Sequence, residues 1–295
     1  MLFRSMTLFT AEGLVLSRIR GTGEAGELPR FVYQAYLRWL ATQQAVDPDS
    51  LVNRYGTCAM VDGLLITQRA LHARRAPGRA CLSSLLSGRM GTTNDPINDS
   101  KGCGGVMRIA PVGYFLPREA VFDAACDIAA ITHGHPTGYL AAGCLARIIS
   151  EISCGADLPG AVRSAIRVLE TRPGHAECLE LLAAALALGE AAAGPASGED
   201  PGDVIERLGQ GWIAEEALAI GVYCALAARG DIDRGLRLAV NHSGDSDSTG
   251  SIAGNLLGAL LGLSAVPEKY LAELELLPLI REMAQDLYER MPERA

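Results

Sequence analysis

The sequence predicts an all-α protein, a single helical domain of roughly ten or more helices spanning residues 1–295. Three observations support this class. Alanine and leucine dominate a composition that is 49% hydrophobic, whereas aromatic residues make up only 5%. Apolar residues recur at helical spacing along most of the chain, and no segment shows a convincing period of two. Small aliphatic side chains also favour close helix packing over a β-sandwich.

The predicted helices follow one another in chain order, each with apolar residues at positions i, i+3 and i+4. Three segments interrupt them: a polar, glycine-rich stretch over 84–113, an exposed connection over 194–202, and a polar loop over 241–250. Long loops within a helical domain usually carry function. The predicted helices cover 6–18, 29–44, 58–74, 120–132, 137–154, 158–170, 176–193, 213–228, 234–241, 251–261 and 277–290.

Composition and charge exclude several classes of function. The net charge of −8 argues against a broad nucleic-acid-binding surface, which needs clustered Lys and Arg side chains. The 8 cysteines are scattered and form no C-x-x-C pair, and no signal peptide is evident, so buried thiols in the cytoplasm are expected. No apolar run is long enough to predict a membrane span. We expect a monomer.

The acidic motif, residues 241–250, is the most informative segment of the chain. It brings Asp245, Asp247 and Ser248 together between glycines that let the backbone curl. Hard oxygen ligands of this kind suit Mg²⁺, Mn²⁺ or Ca²⁺. The alternative is a helix N-cap, because Ser and Asp before an apolar run are typical of a helix start. Spacing alone leaves both interpretations open, and they are compatible.

The glycine loop, residues 102–105, has three glycines beside Lys101 and Arg108. Free backbone N–H groups in such a turn, with nearby cations, can cradle a phosphate or a diphosphate. Glycine-rich loops are common, however, and Arg108 could instead anchor the loop through a salt bridge. The sequence does not decide between these two hypotheses.

Three further motifs have both a structural and a functional interpretation. His133 lies at a helix-to-helix turn, where it could donate a hydrogen bond to a ligand or to a helix end; no zinc ligand set accompanies it. Arg74 and Arg75 precede a Pro-Gly break and either complement a helix dipole or grip a phosphate. Glu215 and Glu216 open a predicted helix, where a dipole interaction is favoured.

Together these motifs resemble the ADP-ribosylglycohydrolase family. The matching segments occur in the family's order and span nearly the whole chain. They are MTLFTAEGL (6–14), LHARRAPG (71–78), SKGCGGVMRIAPVG (100–113), THGHP (132–136), GWIAEEALAI (211–220) and NHSGDSDSTGSIAGNLLGALLG (241–262).

The resemblance implies an orthogonal all-α bundle with two Mg²⁺ (or Mn²⁺) ions in a cleft, which hydrolyses the glycosidic bond between ADP-ribose and an acceptor. It implies that Asp245 and Asp247 are catalytic and, with Ser248, ligate metal. The residues that it implies for substrate binding are Gly102, Cys103, Gly104, Gly105, Met107 and His133.

The chain departs from the family pattern at its start. The family's Asp-Asp segment normally precedes MTLFTAEGL, whereas here no carboxylate precedes Glu12. We therefore expect an N-terminally incomplete domain, from a truncated gene or a misplaced start, that lacks half of the metal ligands. Three functions follow as alternatives: a Mg²⁺-dependent hydrolase, an ADP-ribose-binding protein without turnover, and a structural protein.

Overall fold

The computed structural model describes residues 4–45, 47–56, 63–194 and 199–291. These ranges contain 15 α-helices and no β-strand, and their one isolated β-bridge joins Gly102 to Ile213. The predicted all-α class is therefore confirmed. No helix among these residues is both long enough and apolar enough to cross a membrane.

The helices are numbered here in chain order, and four short 3₁₀ turns connect some of them. The turns are Leu65–Thr67, Arg69–Leu71, Val106–Arg108 and Leu263–Ala265. The helices are α1 Arg4–Arg20, α2 Leu28–Thr42, α3 Pro48–Tyr55, α4 Arg79–Leu86, α5 Ala110–Phe115, α6 Val121–Ala130, α7 Pro136–Ser153, α8 Leu158–Leu169, α9 Ala176–Ala193, α10 Pro201–Leu208, α11 Ala214–Ala227, α12 Ile232–Val240, α13 Ser246–Leu261, α14 Glu268–Leu271 and α15 Leu277–Glu289.

Helix α11 lies at the centre of the bundle and is buried on all sides. It packs against α7, α9, α12 and α13, because a helix that is apolar all round must be covered by its neighbours. Small residues permit the close approach: a Cβ at Gly221 would lie 2.5 Å from the Ile252 side chain of α13. Helix α13, which begins in the acidic motif, is thereby held firmly against the core.

Helices α1 and α2 form a second packed pair that carries a buried ion pair. Glu12 and Arg38 are 3% and 1% exposed, and the Arg38 Nη2 to Glu12 Oε2 distance is 2.8 Å. The other carboxylate oxygen of Glu12 accepts the backbone N–H of Leu65 at 2.9 Å. Glu12 therefore joins three segments of the fold, and its oxygens are engaged in that role.

The helix predicted over 58–74 is wrong where it can be checked. Residues 57–62 lie outside the described part of the chain, and 63–74 contains only the 3₁₀ turns Leu65–Thr67 and Arg69–Leu71. The Leu65 N–H donates to the distant Glu12 carboxylate. The Arg75 guanidinium donates to Glu275 Oε1 at 2.6 Å. Because no α-helix ends at residue 75, the helix-dipole role that the sequence suggested for Arg75 does not arise.

Several short helices lie where the sequence indicated loops or gave no helix. Helix α4 extends into the start of the glycine-rich stretch over 84–113 and α5 covers its end, while α3 follows an Asp47 cap and α10 follows an Asp200 cap. Residues 195–198 of the predicted connection lie outside the described part of the chain, and α10 begins at Pro201. These helices have only one or two turns, too few to show periodicity.

Candidate functional site

The glycine loop is held by backbone hydrogen bonds to a second segment, the tryptophan loop, residues 210–214. The Ala214 N–H donates to the Lys101 carbonyl at 2.8 Å, and the Cys103 N–H donates to the Trp212 carbonyl at 3.3 Å. Together with the Gly102–Ile213 bridge, these bonds set the two loops side by side. The Trp212 side chain is left 58% exposed at their junction.

The acidic motif is tied to the same tryptophan loop. The Asp245 N–H donates to the Gln210 carbonyl at 2.7 Å. At Gly244, a Cβ would lie 2.0 Å from the Gln210 carbonyl oxygen, closer than any side chain can approach. Glycine at 244 is therefore required for this contact, and the three loops form one continuous wall.

Replacing Gly244 by alanine is expected to reduce the free energy of unfolding by about 1–3 kcal/mol, because the new methyl group must displace backbone. The Asp245 carboxylate should also move, since it lies on the displaced segment. Thermal unfolding would measure the change in stability. Gly258 on α13 is the matched control: nothing lies within 4 Å of its Cβ position, so G258A should preserve or slightly raise stability. Equal behaviour of the two variants would contradict the assigned contact.

The Asp245 side chain contacts the glycine loop directly. Its Oδ2 atom accepts the Ser248 hydroxyl at 2.6 Å and the Cys103 thiol at 3.2 Å. The Met107 sulfur lies 3.1 Å from the same Ser248 hydroxyl. Asp245 is 8% exposed and Ser248 is fully buried. Residues that the sequence placed in two separate motifs thus meet at one point.

Asp245 occupies the N-cap position of α13, but its carboxylate accepts no capping hydrogen bond. Elsewhere in the chain aspartates at this position do cap: Asp157 accepts the Gly160 N–H, and Asp231 accepts the Arg234 N–H. Because the Asp245 carboxylate faces Cys103 and Ser248 instead, capping does not account for it.

Asp247 lies in the first turn of α13 with an exposed side chain. The residue is exposed as a whole, but its carboxyl group is partly desolvated; this desolvation, and then the hydrogen bond to Asp245 and the repulsion from it, raise the pKa of Asp247 to about 6. The two carboxyl groups are therefore neighbours whose joint ionisation is unfavourable without a nearby positive charge. A bound cation would relieve this repulsion.

Cys103 is a neutral thiol in this setting. Burial raises the pKa of Cys103 to about 12, and the Asp245 carboxylate contributes to the increase. The thiol therefore donates its proton to Asp245 rather than acting as a thiolate nucleophile.

His133 lies beneath the glycine loop and is 2% exposed. A Cβ at Gly102 would lie 3.4 Å from its Nε2 atom, and one at Gly104 would lie 3.3 Å from it. Burial, and then repulsion from Arg108, lower the pKa of His133 to about 3, so its ring is neutral. The neighbouring His135 caps α7 by accepting the Thr137 N–H at 3.1 Å.

The donor set of Asp245, Asp247 and Ser248 fits one hard cation. Carboxylate and hydroxyl oxygens are ligands that Mg²⁺ accepts, with water completing its shell. Among the described residues, no group of three or more His, Cys, Asp or Glu side chains is placed to hold a metal. Glu12 is engaged with Arg38. The expected two-ion centre is therefore still a prediction.

The sequence and the fold of this chain are similar to those of known proteins. A sequence model described as ADP-ribosylglycohydrolase matches residues 4–295. The chain belongs to the ADP-ribosylglycohydrolase family. The match covers both the glycine loop and the acidic motif, so the predicted resemblance is confirmed.

Two relatives illustrate the range of similarity to this family member. An uncharacterised protein of Archaeoglobus fulgidus is 30% identical over 211 residues, which is 70% of this chain and 64% of that protein's length. A solved structure titled "ADP-ribosylglycohydrolase-related protein complex" covers 98% of this chain and 80% of its own, with 23% identity and a TM-score of 0.56. The second similarity supports the ADP-ribosylglycohydrolase-like fold.

Sequence reasoning missed several residues that adjoin the candidate site of this ADP-ribosylglycohydrolase family member. Gly244 and Trp212 adjoin it, although they were read only as parts of longer motifs. Glu216 accepts the N–H groups of Gln210 and Gly211, each at 3.0 Å, and so shapes the tryptophan loop. The signal available in the sequence was a large aromatic residue beside a glycine at a helix start.

Proposed function

We propose that this chain hydrolyses the glycosidic bond that links ADP-ribose to a protein side chain or a related acceptor, in a reaction that requires Mg²⁺. The observation that carries this proposal is the Asp245 carboxylate. It is buried, it is not used as a helix cap, and it lies against the glycine loop. A carboxylate that served only to stabilise the helix would not need to combine these three features.

Each group has a proposed role that follows from its chemistry. The half-buried Gly104 has an N–H group that donates to no backbone carbonyl among the described residues, and in this proposal it donates to a phosphate oxygen. Asp245, Asp247 and Ser248 would hold the cation. When bound, Mg²⁺ supplies Lewis-acid polarisation of the ribose hydroxyls and an oriented water. The protein contributes positioning of the anomeric carbon against these groups.

Turnover is the direct test of this proposal. ADP-ribosylated peptides carrying the modification on arginine or on serine would be incubated with the chain in Mg²⁺ and in EDTA, and released ADP-ribose measured by chromatography. We expect release in Mg²⁺ that EDTA abolishes. Equal rates in both buffers, or no release from any acceptor, would contradict the proposed hydrolase.

Trp212 offers a binding signal that does not depend on turnover. Its exposed indole adjoins the glycine loop, and we propose that it stacks on the adenine base. Replacing Trp212 by alanine is expected to weaken ADP-ribose binding about tenfold, since stacking on a base contributes roughly 1–3 kcal/mol. Calorimetry would measure the affinity. Quenching of Trp212 fluorescence, with the 3% exposed Trp39 as an internal reference, would locate the ligand.

A second candidate function is ADP-ribose binding without turnover. One observation favours it: Asp245 Oδ2 is already satisfied within the protein by Ser248 and Cys103, so the site can persist without metal. Titration of ADP-ribose in Mg²⁺ and in EDTA separates the two functions. Magnesium-dependent binding supports the hydrolase, and equal affinity in both buffers without turnover supports the binding protein.

A further inference from the structure

Arg108 follows the glycine loop and is 1% exposed. Within the described residues no carboxylate pairs with it; its Nη1 approaches the sulfur atoms of Met6 and Cys81, at 3.5 and 3.4 Å. Its guanidinium carbon lies 4.3 Å from the centre of the Tyr36 ring. The salt bridge suggested by the sequence is therefore not what anchors it. A buried charge with no carboxylate partner is costly, so its shortest hydrogen bond requires explanation.

That contact is with Thr132. The Arg108 Nη2 donates to the Thr132 hydroxyl oxygen at 2.6 Å, and the same oxygen lies 2.8 Å from His133 Nδ1. A guanidinium can only donate, so the hydroxyl must accept from Arg108. Its own proton then has one remaining partner, His133 Nδ1, because a buried hydroxyl proton is rarely left without an acceptor.

This count of protons determines the state of the imidazole. If Nδ1 accepts from Thr132, the ring proton must be on Nε2. We infer that Arg108, through Thr132, is a positioning residue that holds His133 as the neutral Nε2–H tautomer. His133 then presents a fixed hydrogen-bond donor to the glycine loop, where the absence of side chains at Gly102 and Gly104 leaves room beside Nε2. The same tautomer keeps His133 from accepting a proton or ligating a metal through Nε2.

The Nε2–H group of His133 is suited to one kind of hydrogen-bond partner. A fixed, uncharged N–H near a buried guanidinium recognises an acceptor oxygen of an anion. Naming that oxygen as one from ADP-ribose rests on the proposed function. The tautomer itself does not, because it is a property of the free protein.

Nuclear magnetic resonance of protein labelled with ¹⁵N at histidine tests the tautomer directly. His133→Gln would assign the signals, and spectra would be recorded between pH 5 and 8. We expect Nε2 to carry the proton and both ring nitrogens to be insensitive to pH. Thr132→Val keeps the side-chain volume but removes the hydroxyl, so His133 should shift to a mixture of tautomers. Thr132→Ser should restore the wild-type signals. An Nδ1–H tautomer in the wild-type protein, or unchanged signals in T132V, would overturn the inference.

A second measurement tests whether the Nε2–H tautomer of His133 is required for ADP-ribose binding. Loss of an orienting partner commonly weakens a site by about tenfold or more, so ADP-ribose affinity should fall about tenfold in T132V and recover in T132S. Unchanged affinity in T132V with a changed tautomer would overturn the positioning role. Failure of the wild-type protein to bind ADP-ribose would instead contradict the proposed function, while the spectra of the free protein would still decide the tautomer.

Discussion

Replacing Asp245 by asparagine is expected to lower the rate of ADP-ribose release by about 10³-fold, because the substitution removes charge from the proposed metal site without changing its shape. The amide oxygen of asparagine can still accept from Ser248 or Cys103, which lie 2.6 and 3.2 Å from the native oxygen. Thermal unfolding should therefore change little. Turnover, Mg²⁺ affinity by calorimetry and helical content by circular dichroism would be measured on the same preparation.

Asp157 is the matched control for this substitution. Its side chain caps α8 by accepting the Gly160 N–H at 2.8 Å, and it lies outside the site. Asp157→Ala should lower the free energy of unfolding by about 1 kcal/mol and leave turnover unchanged. If D245N instead behaved like D157A, with lost stability and retained turnover, Asp245 would be a helix cap and the proposed metal site would be wrong.

Replacing Glu12 by alanine is expected to produce the largest loss of stability among these variants, about 3–5 kcal/mol. The substitution removes the carboxylate that faces the buried Arg38, with Nε and Nη2 at 2.9 and 2.8 Å, and the acceptor of the Leu65 N–H. The midpoint of thermal unfolding should fall on the order of 10 °C. Thermal and urea unfolding, followed by circular dichroism, would measure the change.

Two controls sharpen the Glu12 prediction. Glu12→Gln keeps an acceptor for Leu65 and should lose less than the alanine variant. Glu190→Ala removes an exposed ion pair with Arg163, both partners being about half exposed, and should cost less than about 1 kcal/mol. A loss of only that size in E12A would show that the buried ion pair is not required for the α1–α2 packing.

The long helices were predictable from the sequence because their burial leaves a periodic pattern. The segments predicted over 137–154, 158–170 and 176–193 correspond closely to α7, α8 and α9. The segment over 63–74 carries similar apolar spacing but contains only two 3₁₀ turns, and its Leu65 N–H donates to the distant Glu12 carboxylate. Helix α13 begins at Ser246, five residues before the predicted start at 251. The prediction placed the start too late because the polar residues of the first turns contribute no apolar periodicity.

The sequence by itself determined the all-α class, the family, and which residue types could hold a cation or a phosphate. Those conclusions follow from composition, periodicity and local motifs, which depend on neighbours along the chain. Only the tertiary structure decided that Asp245 faces Cys103 rather than capping α13, and that Arg108 reaches His133 through Thr132. Asp245 and Cys103 are 142 positions apart. Whether a carboxylate caps its own helix or meets a distant thiol depends on packing between elements, and no local pattern encodes that choice.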